Sequence, residues 1–261
     1  MDLSYEQGIA ARRIILPLDF ATLTQALVTL ITMRKLVSEV KIGLEAITGG
    51  FASTLAEVAN ELGLYVGWDG KWDDISETVK RAAEALVKKG TAKWCNVHAS
   101  AGAASVEAAV KACHALNSTK IYVYGVTVLT GIEPDECRSI FGDDPGPKVL
   151  QFAHTLLDKD ADGIICSPKE LKLLGQHQEL NKLIKTTPGV RSVWASTNDQ
   201  KRVTTPAEAI EDGADYLVIG RPINKPPESI GSPENAVESI TLEMAGAIRK
   251  RMDAGTWKEG L

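Results

Sequence analysis

Residues 64–89 read LYVGWDGKWDDISETVKRAAEALVKK, and the hydrophobic period changes part-way through. Leu64–Lys71 is a short, largely apolar run interrupted near its end by Asp69 and Lys71, as in a strand covered on both faces. From Asp74 to Lys89 the apolar residues Ile75, Val79, Ala82, Ala83 and Leu86 instead recur three and four apart, which places them on one face of a helix. Gly90 follows where a helix stop belongs. The stretch is one βα unit.

The same alternation recurs along the chain. Strands are predicted at Arg13–Asp19, Glu39–Gly43, Leu64–Lys71, Ala92–His98, Ile121–Thr127, Gly163–Ser167, Val190–Ala195 and Tyr216–Gly220. Helical spacing marks Ser105–Leu116 and Lys148–Leu157, Gly213 fits a second helix stop, and Pro233–Arg251 supplies a closing helix. Eight βα units with near-continuous apolar strands call for a parallel sheet buried on both faces. A single (β/α)8 TIM barrel provides that without a free edge, and about 250 residues is its usual size. The expected organisation is one domain over residues 1–261, with a short N-terminal lead and a C-terminal closing helix. An open doubly wound sheet is the alternative, but no Gly-x-Gly-x-x-Gly turn follows the first strand.

Composition excludes several classes. The chain has 29 basic and 34 acidic side chains, a formal net charge of −5, so no basic surplus draws it to nucleic acid or an anionic membrane. No apolar run approaches the ~20 residues of a bilayer span, and the polar start lacks the layout of a signal peptide. Cys95, Cys113, Cys137 and Cys166 form no CxxC pair and read as buried reduced thiols of a cytoplasmic protein. His98, His114, His154 and His177 show no metal-ligand spacing.

In a barrel, chemistry belongs at the carboxyl ends of the strands. Four such ends carry polar groups that core packing would not select: Asp19, Lys41, the Asp69-Gly70-Lys71-Trp72-Asp73-Asp74 run, and Asn96-Val97-His98. Residues two apart on a strand share a face, so Asp69 and Lys71 project together, with Lys41 arriving from the neighbouring strand. Asp74 alone reads equally well as a helix N-cap, and one strand lysine as a snorkelling side chain. Two lysines and two carboxylates together keep one another ionised and lower the cost of burial, an array suited to a reacting anion.

The last third adds a second constellation. Thr187-Pro188-Gly189-Val190-Arg191 precedes the polar loop Ser196–Arg202, and strand eight ends in Gly220-Arg221-Pro222-Ile223. Loops after strands seven and eight are the usual phosphate site of phosphate-binding barrels. Gly220 permits close backbone approach, and the guanidinium of Arg221 can clamp an anion through two parallel hydrogen bonds.

With these residues in hand, the sequence resembles the orotidine 5′-phosphate decarboxylase family from about Arg13 to Ile223. The resemblance is carried by Asp69-x-Lys71-x-x-Asp74 with Ile75 and Thr78 following, by Val40-Lys41-Ile42-Gly43, by Asn96-Val97-His98-Ala99, by Val126-Thr127-Val128-Leu129-Thr130, and by Gly220-Arg221-Pro222-Ile223. It implies a decarboxylase of orotidine 5′-monophosphate yielding UMP, without metal or organic cofactor. Lys41, Asp69, Lys71 and Asp74 would form the charged tetrad, with Lys71 the proton donor. Asp19, Lys41 and Thr78 would hold the ribose and Thr130 the pyrimidine. Gln200, Gly220 and Arg221, helped by Pro188 and Arg191, would hold the phosphate under a loop around residues 196–203. Asp74, Ile75 and Thr78 would reach into the partner's site of a homodimer.

Two departures stand out. Gly70 replaces the larger residue usual inside Asp-x-Lys, and Trp194-Ala195-Ser196 stands where a glycine is usual, which unsettles the register of Gln200. The rival within the superfamily is an Mg²⁺-dependent keto-gulonate-phosphate decarboxylase or hexulose-phosphate synthase. Those resemble this pattern but carry an acidic residue at position 41, where Lys41 would repel the ion. A rival of another class is an inactive phosphate-binding scaffold barrel, against which the intact buried tetrad argues.

Overall fold

The computed structural model describes residues 5–115, 120–195 and 204–259. Eight strands, β1 Ile14–Pro17, β2 Glu39–Ile42, β3 Tyr65–Trp72, β4 Trp94–His98, β5 Tyr122–Val126, β6 Gly163–Ile165, β7 Ile184–Pro188 and β8 Tyr216–Val218, run parallel and close in chain order. The seam between β8 and β1 pairs Ile14 with Leu217 and Ile15 with Val218. The expected TIM barrel is therefore present, and the open sheet is excluded.

Seven strands fall where the sequence places them; the seventh does not. Val190–Ala195 is not a strand: it is a loop ending in a 3₁₀ turn at Val193–Ala195, and β7 lies earlier, at Ile184–Pro188. The polar composition of Ile184-Lys185-Thr186-Thr187-Pro188 conceals it. Thr186 and Thr187 are wholly buried all the same. Lys185 donates its backbone N–H to Asp215 at 2.9 Å and its ammonium to Asn181 at 3.2 Å, which lets a charged residue occupy a buried strand.

Strand parity determines what enters the barrel. Pairing of Pro17 with Lys41 and of Lys41 with Gly67 sets one inward row. Near the amino ends of the strands, Ile15, Trp94, Tyr124, Ile184 and Tyr216 fill the interior as a separate apolar cluster. Gly67 makes room for it, since a Cβ there would lie 2.0 Å from the Trp94 ring. Trp94 stacks on Tyr124 with centroids 5.2 Å apart and donates its indole N–H to Glu39 at 2.5 Å. Glu39 also pairs with Lys93 at 2.9 Å. This plug closes one end of the barrel and leaves the carboxyl ends open.

The helix foreseen from Asp74 begins at Ser76 and runs to Lys89, with Ile75 rather than Asp74 at the N-cap position; Gly90 ends it at φ +66°. The closing helix, Pro233–Asp253, is capped by Ser232, whose hydroxyl accepts from the Asn235 N–H. All four cysteines are buried and unpaired, with the Cys95 and Cys113 sulfurs 3.6 Å apart. Among the described residues, no helix is long and apolar enough to cross a membrane.

Candidate active site

A cavity of about 380 Å³ opens at the carboxyl ends of the strands. Its lining includes Asp19, Lys41, Asp69 and Lys71 from the first three strand ends, and Pro188, Arg191, Gly220 and Arg221 from the last two. Thr130, after β5, also borders it. The sequence constellations from the two ends of the chain thus meet in one chamber, because barrel closure makes β8 the neighbour of β1.

The charged groups form a bridged array around Asp69. Its Oδ2 lies 2.6 Å from the Lys41 ammonium and 2.7 Å from that of Lys71. Lys41 reaches Asp19 as well, at 3.3 Å. The other oxygen of Asp69, Oδ1, accepts from the Asn96 side-chain amide at 2.6 Å. Asp69 is only 3% exposed, yet both of its oxygens are satisfied.

Lys71 sits in an uncommon backbone conformation, φ +46°, which a non-glycine residue adopts only when its surroundings hold it there. The pairing register between β3 and β4 shifts across Trp68 to Trp72, so the lysine occupies a bulge. Asn96 fixes it: its Oδ1 accepts the Lys71 backbone N–H at 2.7 Å. Gly70 belongs to the same bulge, for a Cβ there would approach the indoles of Trp72 and Trp68 to 3.0 and 3.2 Å. Its small size suits the bulge.

Electrostatics follow from the geometry. Burial alone would push the Asp69 carboxyl up, but Lys41 and Lys71 outweigh it and hold the group below its ordinary value. Burial would likewise pull Lys41 down, but Asp69 and Asp19 outweigh it and the ammonium is held above its ordinary value. His98, at the end of β4, is lowered chiefly by burial.

Arg191 and Arg221 border the other side of the chamber, and neither is ion-paired to a carboxylate among the described residues. Gly220 lies against β1, where a Cβ would meet the Pro17 ring at 2.8 Å. Asn224 ties the same turn down by donating to the Pro17 carbonyl at 3.2 Å. Correct placement of β7 makes Pro188 its last residue and puts Arg191 in the loop beyond it.

Asp74, Ile75 and Thr78 do not line the chain's own cavity. They lie on the outer surface, with Ile75 70% exposed, and Asp74 accepts the Ile75 N–H at 2.7 Å. Gln200 and the rest of the loop at 196–203 lie outside the described residues. Two contributors were not singled out from the sequence as site residues. Asn96 was visible as a polar strand end, but its double role needed the bulge to be seen. Gly43 is the other: a Cβ there would stand 3.0 Å from Asp19 Oδ1 and 3.1 Å from Lys41 Nζ, inside the array.

Comparison with known proteins bears directly on this chamber. The family described as orotidine 5′-phosphate decarboxylase / HUMPS matches residues 12–236. The chain belongs to that family. It is 35% identical over 234 residues to an orotidine 5′-phosphate decarboxylase of Pseudomonas paraeruginosa, covering 88% of this chain and 97% of the relative. It is 34% identical over 241 residues to the enzyme of that name from Mannheimia succiniciproducens, covering 91% and 99%. Among solved structures, an orotidine 5′-phosphate decarboxylase from Lactobacillus acidophilus superposes with a TM-score of 0.74 at 28% identity, covering 89% of this chain and 99% of that one. Within the orotidine 5′-phosphate decarboxylase / HUMPS family, this chain presents Lys41 rather than a carboxylate beside Asp69, and its Asp69 is engaged by two ammonium groups and an amide.

Proposed function

We propose that this chain converts orotidine 5′-monophosphate to UMP and CO₂ without metal or organic cofactor, as a single barrel domain working in a cytoplasmic homodimer. The observation that carries the reading is Asp69 bridging Lys41 and Lys71 at 2.6 and 2.7 Å on the cavity wall. An Mg²⁺-dependent relative would need free carboxylate oxygen there, and those of Asp69 already accept from two ammonium groups and an amide.

The phosphate is held by Arg191, Arg221 and the Gly220 backbone, with Pro188 shaping the wall and Gln200, outside the described residues, assigned to the same group by the family resemblance. Asp19 and Lys41 hold the ribose hydroxyls, and Thr130 the pyrimidine. Loss of CO₂ leaves an electron pair on C6 that the ring disperses poorly. The Lys71 ammonium stabilises that pair as it forms and then gives C6 its proton; solvent returns a proton to the amine. Asp69 disfavours the substrate carboxylate beside it, a repulsion relieved as neutral CO₂ departs. Phosphate contacts contribute by ordering the site around the reacting carbon. Asp74, Ile75 and Thr78, turned outward on their own subunit, complete the neighbour's chamber.

The absorbance of orotidine 5′-monophosphate, followed with and without EDTA, tests the reading. We expect loss of substrate at the same rate in both. Absence of turnover refutes it, and EDTA-sensitive turnover transfers the chain to the metal-dependent branch.

A further inference from the structure

Outside the chamber, one group of side chains converges without being explained by packing. His154, in the helix Pro145–Asp158, meets His177 and Glu179 at the turn Gln178–Lys182 that leads into β7. Their donor atoms all lie within 4.8 Å of one another. Glu179 Oε1 stands 3.8 Å from His154 Nε2 and 3.5 Å from His177 Nδ1. Those spacings are too long for good N–H···O hydrogen bonds, which close to about 2.7–3.2 Å. They approach the edge of about 3.3 Å between ligands of a tetrahedral ion bound at about 2.0–2.1 Å.

The surroundings suit an ion more than a salt link. The two imidazoles meet edge to face at 86°, centroids 5.8 Å apart, rather than stacking. No lysine or arginine is ion-paired to Glu179 among the described residues. The turn is anchored where it must be rigid: His177 donates its N–H to the Leu174 carbonyl and accepts at its own from Leu180, whose side chain is buried. All three side chains are partly exposed, so an ion can enter and complete its coordination with water. The start of the same helix, Pro145, borders a pocket shared with Thr130, whereas His154 lies nine residues further along the helix and lines neither that pocket nor the chamber.

We propose that His154, His177 and Glu179 form a peripheral binding site for a divalent transition ion of the zinc class, clipping the helix Pro145–Asp158 to the turn before β7. Two imidazoles and one carboxylate select Zn²⁺, Ni²⁺ or Cu²⁺ over Mg²⁺, which requires oxygen ligands. The site stands apart from decarboxylation and does not depend on the proposed function. Sequence spacing missed it because the histidines lie on separate elements and come together only in the fold.

The test is calorimetric titration of the EDTA-stripped, desalted 261-residue chain with Zn²⁺, alongside thermal unfolding. The expected result is one Zn²⁺ per chain, a higher melting temperature with Zn²⁺, and no competition from excess Mg²⁺. Binding should weaken at least tenfold in Glu179→Gln and a hundredfold or more in the His154→Ala/His177→Ala double variant. Circular dichroism and orotidine 5′-monophosphate turnover equal to the parent would show that the double variant remains folded. The proposal is overturned if the parent takes up no Zn²⁺, or if the double variant binds it with parental stoichiometry and affinity.

Discussion

The barrel buries a carboxylate at each end, and the two are treated differently. Glu39 at the amino end is 2% exposed and paired with Lys93 and the Trp94 indole; Asp69 at the carboxyl end is 3% exposed and paired with Lys41, Lys71 and Asn96. In both places burial pulls the lysine down and its neighbours outweigh that pull, Glu39 with Tyr216 and Tyr65 for Lys93 and Asp69 with Asp19 for Lys41, so both are held above their ordinary values. Around Glu39, however, the interior is packed by the apolar cluster of Ile15, Trp94, Tyr124, Ile184 and Tyr216, and Lys93 lies 4.4 Å from the Tyr65 ring centroid. Around Asp69 there is a chamber, and one lysine is held at φ +46° to face it. Ion pairing is common to both ends, so pairing alone does not mark a candidate site; the Asp69 bridge does so because it lies on the wall of a chamber. Open volume and a constrained backbone set it apart.

The comparison breaks hardest at Lys71. On the proposed mechanism, Lys71→Ala should lower kcat on the order of 10⁴-fold or more, since it would remove both the proposed proton donor and the charge proposed to stabilise the carbanion. Circular dichroism should show the fold unchanged; near-parental turnover would remove Lys71 from its role. The opposite response is expected at the other end. Glu39→Ala strands Lys93 and should cost about 3–5 kcal/mol in urea unfolding, while the folded fraction keeps parental kcat. A loss of kcat without loss of stability there would erase the distinction between the two ends.

Asn96→Ala sharpens the comparison by leaving every charge in place. It removes the acceptor for the Lys71 N–H and the donor to Asp69, so kcat should fall about 10²-fold with KM little changed. Equal falls in kcat and rises in KM would make Asn96 a packing residue only. The smallest effect is on pH dependence. Asp69, depressed in the folded state, contributes stability above the ordinary carboxylate range near ~3.9 and loses it as pH falls through its folded value. Lys41, raised, contributes fully below ~10.4 and loses that contribution as pH rises through its folded value. Between those limits the parent-minus-Asp69→Asn difference in unfolding free energy should be flat; a slope near neutrality would reassign the titrating group.

Much of this was legible from residue order. Asp69 and Lys71 are two apart, and alternation predicts a shared face; the two do meet at 2.7 Å, although a bulge and not a regular strand sets the Lys71 backbone. The regular spacing of βα units gave the barrel, and barrel closure then set Arg221 beside Asp19. Strand seven escapes local pattern because Lys185 is held by Asp215, 30 residues on, while Thr186 and Thr187 bury hydroxyls that find no hydrogen-bond partner among the described residues. The bulge at Lys71 and the meeting of His154 with His177 were hidden for the same reason, since each depends on residues distant in the chain.

The contacts of Asn96 and Asp69 with Lys71 close a ring: ammonium to carboxylate, carboxylate to amide, amide back to the lysine's own N–H. A side chain tethered at root and tip to the same pair of neighbours behaves as a triangular truss, which resists shear where a single strut would swing. An ammonium braced in this way stays aimed into the chamber, so the role proposed for Lys71 would need little reorganisation energy at each turnover.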